Sequence, residues 1–173
     1  MLEDIKLAKG AGAAGIVSGV LTRAGRVDRK RTQAMLEASQ PLPFTFHRAF
    51  DVSRNQDLDL EVLIQLGVQR VLTSGGAPTA PQGTARLAEL IQLASGRIII
   101  LPGGGLNPDN VAELVATLGV KEFHASASKT VDTRMTHKNT AVPMSTPLFP
   151  SEYEWKECDA SKVNAMLLSA RHR

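Results

Sequence analysis

Five short apolar runs recur along this chain at nearly even intervals, and that spacing restricts the fold more than any other feature. They begin at Gly15 (GIVSGVL), Pro43 (PFTFHRAF), Gln69 (QRVLTS), Arg97 (RIIILP) and Lys121 (KEFHASA), 24 to 28 residues apart. Between them, apolar residues fall three and four apart, the mark of a helix with one buried face. Residues 28–39 carry Met35 and Leu36; 58–66 carry Leu60, Val62, Leu63 and Ile64; 84–94 carry Leu87, Leu90, Ile91 and Leu93; 109–118 carry Val111, Leu114 and Val115. Helix ends agree with this reading: Asn107 and Pro108 suit a helix start, and Gly67 and Gly119 stand where a left-handed cap is wanted. The run from Arg97 to Leu101 is apolar on both faces, as in a parallel strand covered by helices. The expected fold is therefore α/β, a TIM-type (β/α) barrel with about five parallel strands and helices outside. A doubly wound open sheet is the alternative.

An eight-unit barrel typically takes about 250 residues, whereas this chain has 173. Three more units at the observed period would come to roughly 80 residues, close to the shortfall. The expectation is a single partial barrel domain over 1–173, either truncated or completed by association. Its β/α units occupy 1–127, opening on a helix at Leu2. Residues 128–158 form a long turn-rich segment without helical or strand period, containing Pro143, Pro147 and Pro150. A helix then ends the chain within 159–173. Unpaired edges at Gly15 and Lys121 favour a homo-oligomer.

Composition removes several function classes. The chain is 43% hydrophobic and 21% charged, which excludes disorder. No apolar run approaches the roughly 20 residues of a membrane helix. Acidic residues stand near Met1 where a secretory signal would be basic, so the cytoplasm is the expected compartment. The net charge is +3, but the basic residues are scattered apart from Arg23, Arg26, Arg29, Lys30 and Arg31. Seven aromatics (five Phe, one Tyr, one Trp) give no stacking platform, so nucleic acid is not an expected partner. P-loop, GxSxG and dinucleotide GxGxxG motifs are missing from the sequence.

In parallel β/α folds, ligands bind beyond the carboxyl ends of the strands. His47, Arg48 and Asp51 follow the second run, Thr73 and Ser74 the third, and Gly103, Gly104 and Gly105 the fourth; His124, Ser126 and Ser128 end the fifth. His47 and His124 are candidate general acids or bases. Arg48 is a permanent cation suited to a carboxylate or phosphate, or else the partner of Asp51 in an ion pair. Strand alternation would send His47 and Arg48 to opposite faces unless the strand has already bent there. Thr73 and Ser74 are candidates for holding a ligand or for capping the next turn. Gly103, Gly104 and Gly105 let backbone amides approach an anion, with Ser126 and Ser128 from the next loop, or simply turn the chain. A small anionic ligand is the partner these residues suggest. No metal ligand set is expected: His47, His124 and His137 lack close-spaced partners, and Cys158 is the only cysteine.

Several phrases occur in a specific order: FTFHRAFD (44–51), RVLTSGG (70–76), GRIIILPGGG (96–105), EFHASA (122–127) and SEYEW (151–155). With these the chain resembles the CutC family, named for copper homeostasis. The resemblance implies a TIM-type barrel, a cytoplasmic location, self-association and possible copper as the bound metal. It also implies about three β/α units ahead of Met1, with the cysteines discussed as copper(I) ligands among them. Ala125 stands where some relatives have cysteine. Soft thiolates select copper(I), and Cys158 alone cannot build such a site. Three readings stay open: a copper-homeostasis protein, a barrel enzyme for a small anionic or phosphorylated metabolite, and a remnant without activity.

Overall fold

A computed structural model of the chain describes residues 1–139, 141–142 and 151–171. Pro143, Pro147 and Pro150 lie outside the described residues. Each of the first four apolar runs forms a short strand: β1 (Ile16–Ser18), β2 (Phe44–Phe46), β3 (Arg70–Thr73) and β4 (Ile99–Pro102). They pair in parallel in the order β1-β2-β3-β4. Helices α1 (Leu2–Gly10), α2 (Arg29–Ser39), α3 (Gln56–Leu66), α4 (Thr84–Ala94) and α5 (Val111–Leu118) alternate with them, which is the β/α order expected.

Local chemistry sets the helix boundaries. The Asp28 carboxylate accepts from the Arg31 amide at the start of α2, and Asn55 Oδ1 accepts from the Leu58 amide at the start of α3. Gly67 (φ 81°) and Gly119 (φ 65°) close α3 and α5 in the left-handed region, where a side chain would be strained. The start of α5 departs from expectation. Asn107 Oδ1 accepts from the Asp109 amide in a local turn, and the helix begins only after Asn110. Asn110 Oδ1 caps that turn by accepting from the Asn107 amide.

Side chains alternate across the sheet, so its two faces differ. Phe44, Phe46, Val71 and Ile100 share the helix-packed face. There they meet Leu60, Leu63, Leu87, Leu90 and Val111, all fully buried. Burying each such side chain contributes about 1.5–3 kcal/mol before chain entropy is subtracted. The opposite face runs Val17, Thr45, Arg70, Ile99 in register. It is half-open, with Val17 63% and Ile99 39% exposed. Ile99 thus corrects the expectation of a strand covered on both sides: helices cover one face, and four strands cannot curl round to cover the other. On that open face the Arg70 guanidinium donates to both Glu122 oxygens, at 2.7 and 3.1 Å. The bonded guanidinium holds the Glu122 carboxyl below the usual carboxylate range, and the carboxylate raises Arg70 in turn.

Two expectations about the strands need correction. The fifth run makes a single parallel bridge, Gly103 to His124, and no strand of its own. The His124 amide donates to Pro102 O there, while the small residues that follow pack against α6 (Ala160–Arg171) and leave the ladder. The segment after it, read as lacking any strand, contains β5 (Ser128–Asp132) paired antiparallel with β6 (Glu154–Cys158). Neither strand shows an apolar period, and among the described residues every residue of β6 is exposed.

Candidate functional site

β2 stops at Phe46, and the next residues turn at once into a single 3-10 helix, Arg48–Val52. That early bend is the exception under which strand alternation no longer governs where His47 and Arg48 point. His47 Nδ1 accepts from the Ala49 amide (3.2 Å) and caps the turn, so a neutral ring carries its proton on Nε2. The imidazole packs edge-on to Phe46 and over Gly19, where a β-carbon would lie 2.9 Å from Nδ1. The turn brings Arg48 and Asp51 to the carboxyl end of β3.

Asp51 is the centre of the arrangement. Its side chain is 7% exposed. Oδ2 accepts from Arg48 Nε (2.6 Å) and Ser74 Oγ (3.0 Å). Oδ1 accepts from Thr73 Oγ1 and from the amides of Ser74 (2.9 Å) and Gly76 (3.1 Å). Successive left-handed glycines, Gly75 (φ 72°) and Gly76 (φ 74°), curl the backbone so that these amides meet one carboxylate. The ion-pair alternative for Arg48 and Asp51 is the one the structure adopts. Asp51 is saturated by these donors, which suits an anchor better than a proton carrier.

Arg48 is half-buried, its side chain 41% exposed. With Nε on Asp51, Nη2 donates to Ser74 Oγ (2.6 Å) and, at 3.4 Å, to Ala77 O. The remaining nitrogen, Nη1, lies over Gly104, 2.9 Å from where a β-carbon would stand. Gly104 has φ 105°, so this residue must be glycine both for its conformation and for the close approach of the guanidinium. Gly103 is boxed in by Leu72 and His124, and Gly105 by Thr79. Among the described residues, Nη1 and the Gly105 and Leu106 amides donate to no protein acceptor.

The structure therefore brings together Arg48, Asp51, Thr73, Ser74 and Gly104. His124 is exposed beside Gly103, its side chain without a hydrogen bond among the described residues. Ser126 and Ser128 face each other across 3.3 Å, apart from the Asp51 network. Ala77, whose carbonyl receives Ser74 Oγ (2.5 Å), and Gly76 were not singled out as site residues by sequence reasoning. The glycine pair after Thr73 and Ser74 was the available signal. Arg23 and Arg54, on the loops after β1 and β2, add two exposed cations at this end of the sheet. The Gly25 carbonyl links the two loops by accepting from the Arg54 amide (2.7 Å).

No group of three His, Cys, Asp or Glu side chains converges among the described residues. Cys158 is exposed on β6, opposite Ser128. No helix of the described residues is long and apolar enough to cross a membrane.

Comparison with known proteins adds the following. The model of the CutC family matches residues 1–129. A CutC family protein of Parabacteroides distasonis is 43% identical over 167 residues, covering 96% of this chain and 69% of that protein. A human copper homeostasis protein cutC homolog is 41% identical over 172 residues, covering 99% of this chain and 63% of its own length. The chain thus spans about two thirds of the length of these curated relatives. The crystal structure of the copper homeostasis protein CutC from Streptococcus agalactiae superposes with a TM-score of 0.67 at 31% identity, covering 71% of this chain and 60% of that one. A mandelate oxidase at 18% identity and TM-score 0.51 shares the fold alone, over 72% of this chain and 43% of that one.

Proposed function

The chain belongs to the CutC family, and from that premise we propose that it serves copper homeostasis by binding a small anionic ligand at the carboxyl ends of its strands. The observation that carries this reading is Arg48, locked by Asp51 and Ser74, with Nη1 above Gly104 donating to no acceptor among the described residues. A cation fixed in advance loses little side-chain entropy on binding. Unspent amides at Gly105 and Leu106 and the exposed cations Arg23 and Arg54 favour the same sign of ligand.

Copper itself fits these residues poorly. Copper(I) is selected by thiolate and thioether donors. Cys158 stands exposed on a hairpin, and His47 has one ring nitrogen occupied. The second reading, a barrel enzyme for the same anion, is favoured by His47: its Nε2–H tautomer is fixed immediately ahead of the Arg48 turn, where it could hold or pass a proton.

Calorimetric titration of inorganic phosphate into the chain and into Arg48→Ala tests the reading. Binding that weakens about tenfold or more in Arg48→Ala supports it, as expected for loss of a charge-assisted hydrogen bond. Equal binding by both proteins overturns it. A copper(I) titration against a competing chelator should give no stoichiometric capture by the chain, and capture would overturn the assignment of the anion as its ligand.

A further inference from the structure

We propose that the anion taken at this site is a phosphate or phosphate monoester and not a carboxylate, and that Ser74 is the residue that sets this preference. The inference rests on the anion-binding reading above and adds the class of ligand.

A guanidinium recognises a carboxylate through a fork, two parallel N–H groups meeting the two coplanar oxygens. Arg48 has two forks that could do this, and both are already engaged inside the protein. The side-on fork of Nε and Nη2 is filled by Asp51 Oδ2 (2.6 Å) and Ser74 Oγ (2.6 Å). The end-on fork of Nη1 and Nη2 is compromised because Nη2 also reaches Ala77 O at 3.4 Å. What is left is Nη1 alone, standing over Gly104.

Single donors spread over several elements suit a tetrahedral oxyanion, whose oxygens point in different directions. Besides Nη1, the Gly105 and Leu106 amides have no acceptor among the described residues. Left-handed backbone at Gly104 (φ 105°) and Gly105 (φ 73°) builds this loop, and its closeness to Arg48 depends on the absence of a β-carbon at residue 104.

Ser74 decides the preference because, among the described residues, it is the one neutral side chain holding Nη2. Its side chain is buried, and its hydroxyl bridges Arg48, Asp51 and Ala77 O. Removing the hydroxyl by Ser74→Ala leaves the Ser74 amide on Asp51 and Asp51 on Arg48 Nε, while Nη2 loses its 2.6 Å bond and keeps only the 3.4 Å contact with Ala77 O, long enough for a carboxylate to displace it and complete an end-on fork with Nη1. The variant should therefore gain affinity for carboxylates relative to phosphate.

Calorimetry with inorganic phosphate and with malonate, at constant ionic strength, tests this on the whole chain. The unmodified chain should bind phosphate about tenfold more tightly than malonate, the worth of one charge-assisted hydrogen bond. In Ser74→Ala that ratio should shrink toward unity, and in Arg48→Ala binding of both should be lost. Malonate binding as tightly as phosphate, with both dependent on Arg48, would overturn the phosphate assignment and leave the anion site standing. Neither ion binding would remove the anion reading itself. An unchanged ratio in folded Ser74→Ala would overturn the role of Ser74. Should Ser74→Ala not fold, Ser74→Cys, a poorer acceptor of similar size, replaces it in the same comparison.

Discussion

Replacing Asp51 with alanine removes the acceptor on which five donors converge: Arg48 Nε, the Thr73 and Ser74 hydroxyls, and the Ser74 and Gly76 amides. These donors do not lose equally. Ser74 Oγ keeps the Ala77 carbonyl, and the exposed Gly76 amide can turn to water. Thr73 and Ser74 are fully buried, and among the described residues the Thr73 hydroxyl and the Ser74 amide have no acceptor besides Asp51. Each buried donor left unsatisfied costs about 1–3 kcal/mol. Arg48 is 41% exposed, so its lost ion pair adds about 0–1 kcal/mol after solvent screening. A destabilisation of about 2–7 kcal/mol follows, centred near 4 and a large share of the roughly 5–15 kcal/mol typical of a domain. Urea unfolding followed by circular dichroism should show the midpoint falling by about 2 M if the slope is near 2 kcal/mol/M. A loss under about 1 kcal/mol with unchanged slope would refute the claim that this carboxylate organises the ends of β2 and β3.

Further outcomes follow from other contacts. Glu122 titrates below its ordinary range because Arg70 is bonded to it, so the pair contributes stability above the unfolded carboxyl pKa that is lost as pH falls through the lower folded value. Both side chains are partly exposed (29% and 39%), so the effect is about 1 kcal/mol or less. In Glu122→Gln the part of the acid-induced fall in urea midpoint due to this carboxyl should be missing. Gly104→Ala should displace Arg48 and cost about 1–3 kcal/mol, because the new methyl meets Nη1 and the backbone sits at φ 105°; calorimetry should find phosphate binding weakened along with stability. Asp59, 1% exposed, accepts from Arg26 Nε (2.9 Å) and the Val27 amide (3.2 Å), tying the loop after β1 to α3. Asp59→Ala should cost about 2 kcal/mol and speed hydrogen exchange at Val27; an unchanged Val27 rate would contradict that tie.

How far the sequence carried depended on whether the cause was local. Caps at Gly67 and Gly119, the helix over 84–94 and the parallel strands were legible because neighbouring residues dictate them. Arg48 and Asp51 were legible as a pair because they lie three positions apart. Thr73, Ser74 and Gly104 were legible as residues at strand ends, but their convergence was not, since Thr73, Ser74 and Gly76 reach Asp51 across 22 to 25 residues of chain. The turn at Arg48 interrupts the alternation that would have placed His47 and Arg48 on opposite faces. Likewise, β5 and β6 pair through their backbones on an exposed hairpin, so no apolar period announces them.

The central claim is that the Arg48 cluster beside Gly104 is where this CutC family chain takes its ligand. The most direct test is a titration of inorganic phosphate followed by two-dimensional amide NMR of the whole chain. The account predicts saturable shifts concentrated at Gly104, Gly105, Leu106 and Ser74, all absent in Arg48→Ala. Saturable shifts centred elsewhere, or none at these residues, would contradict it.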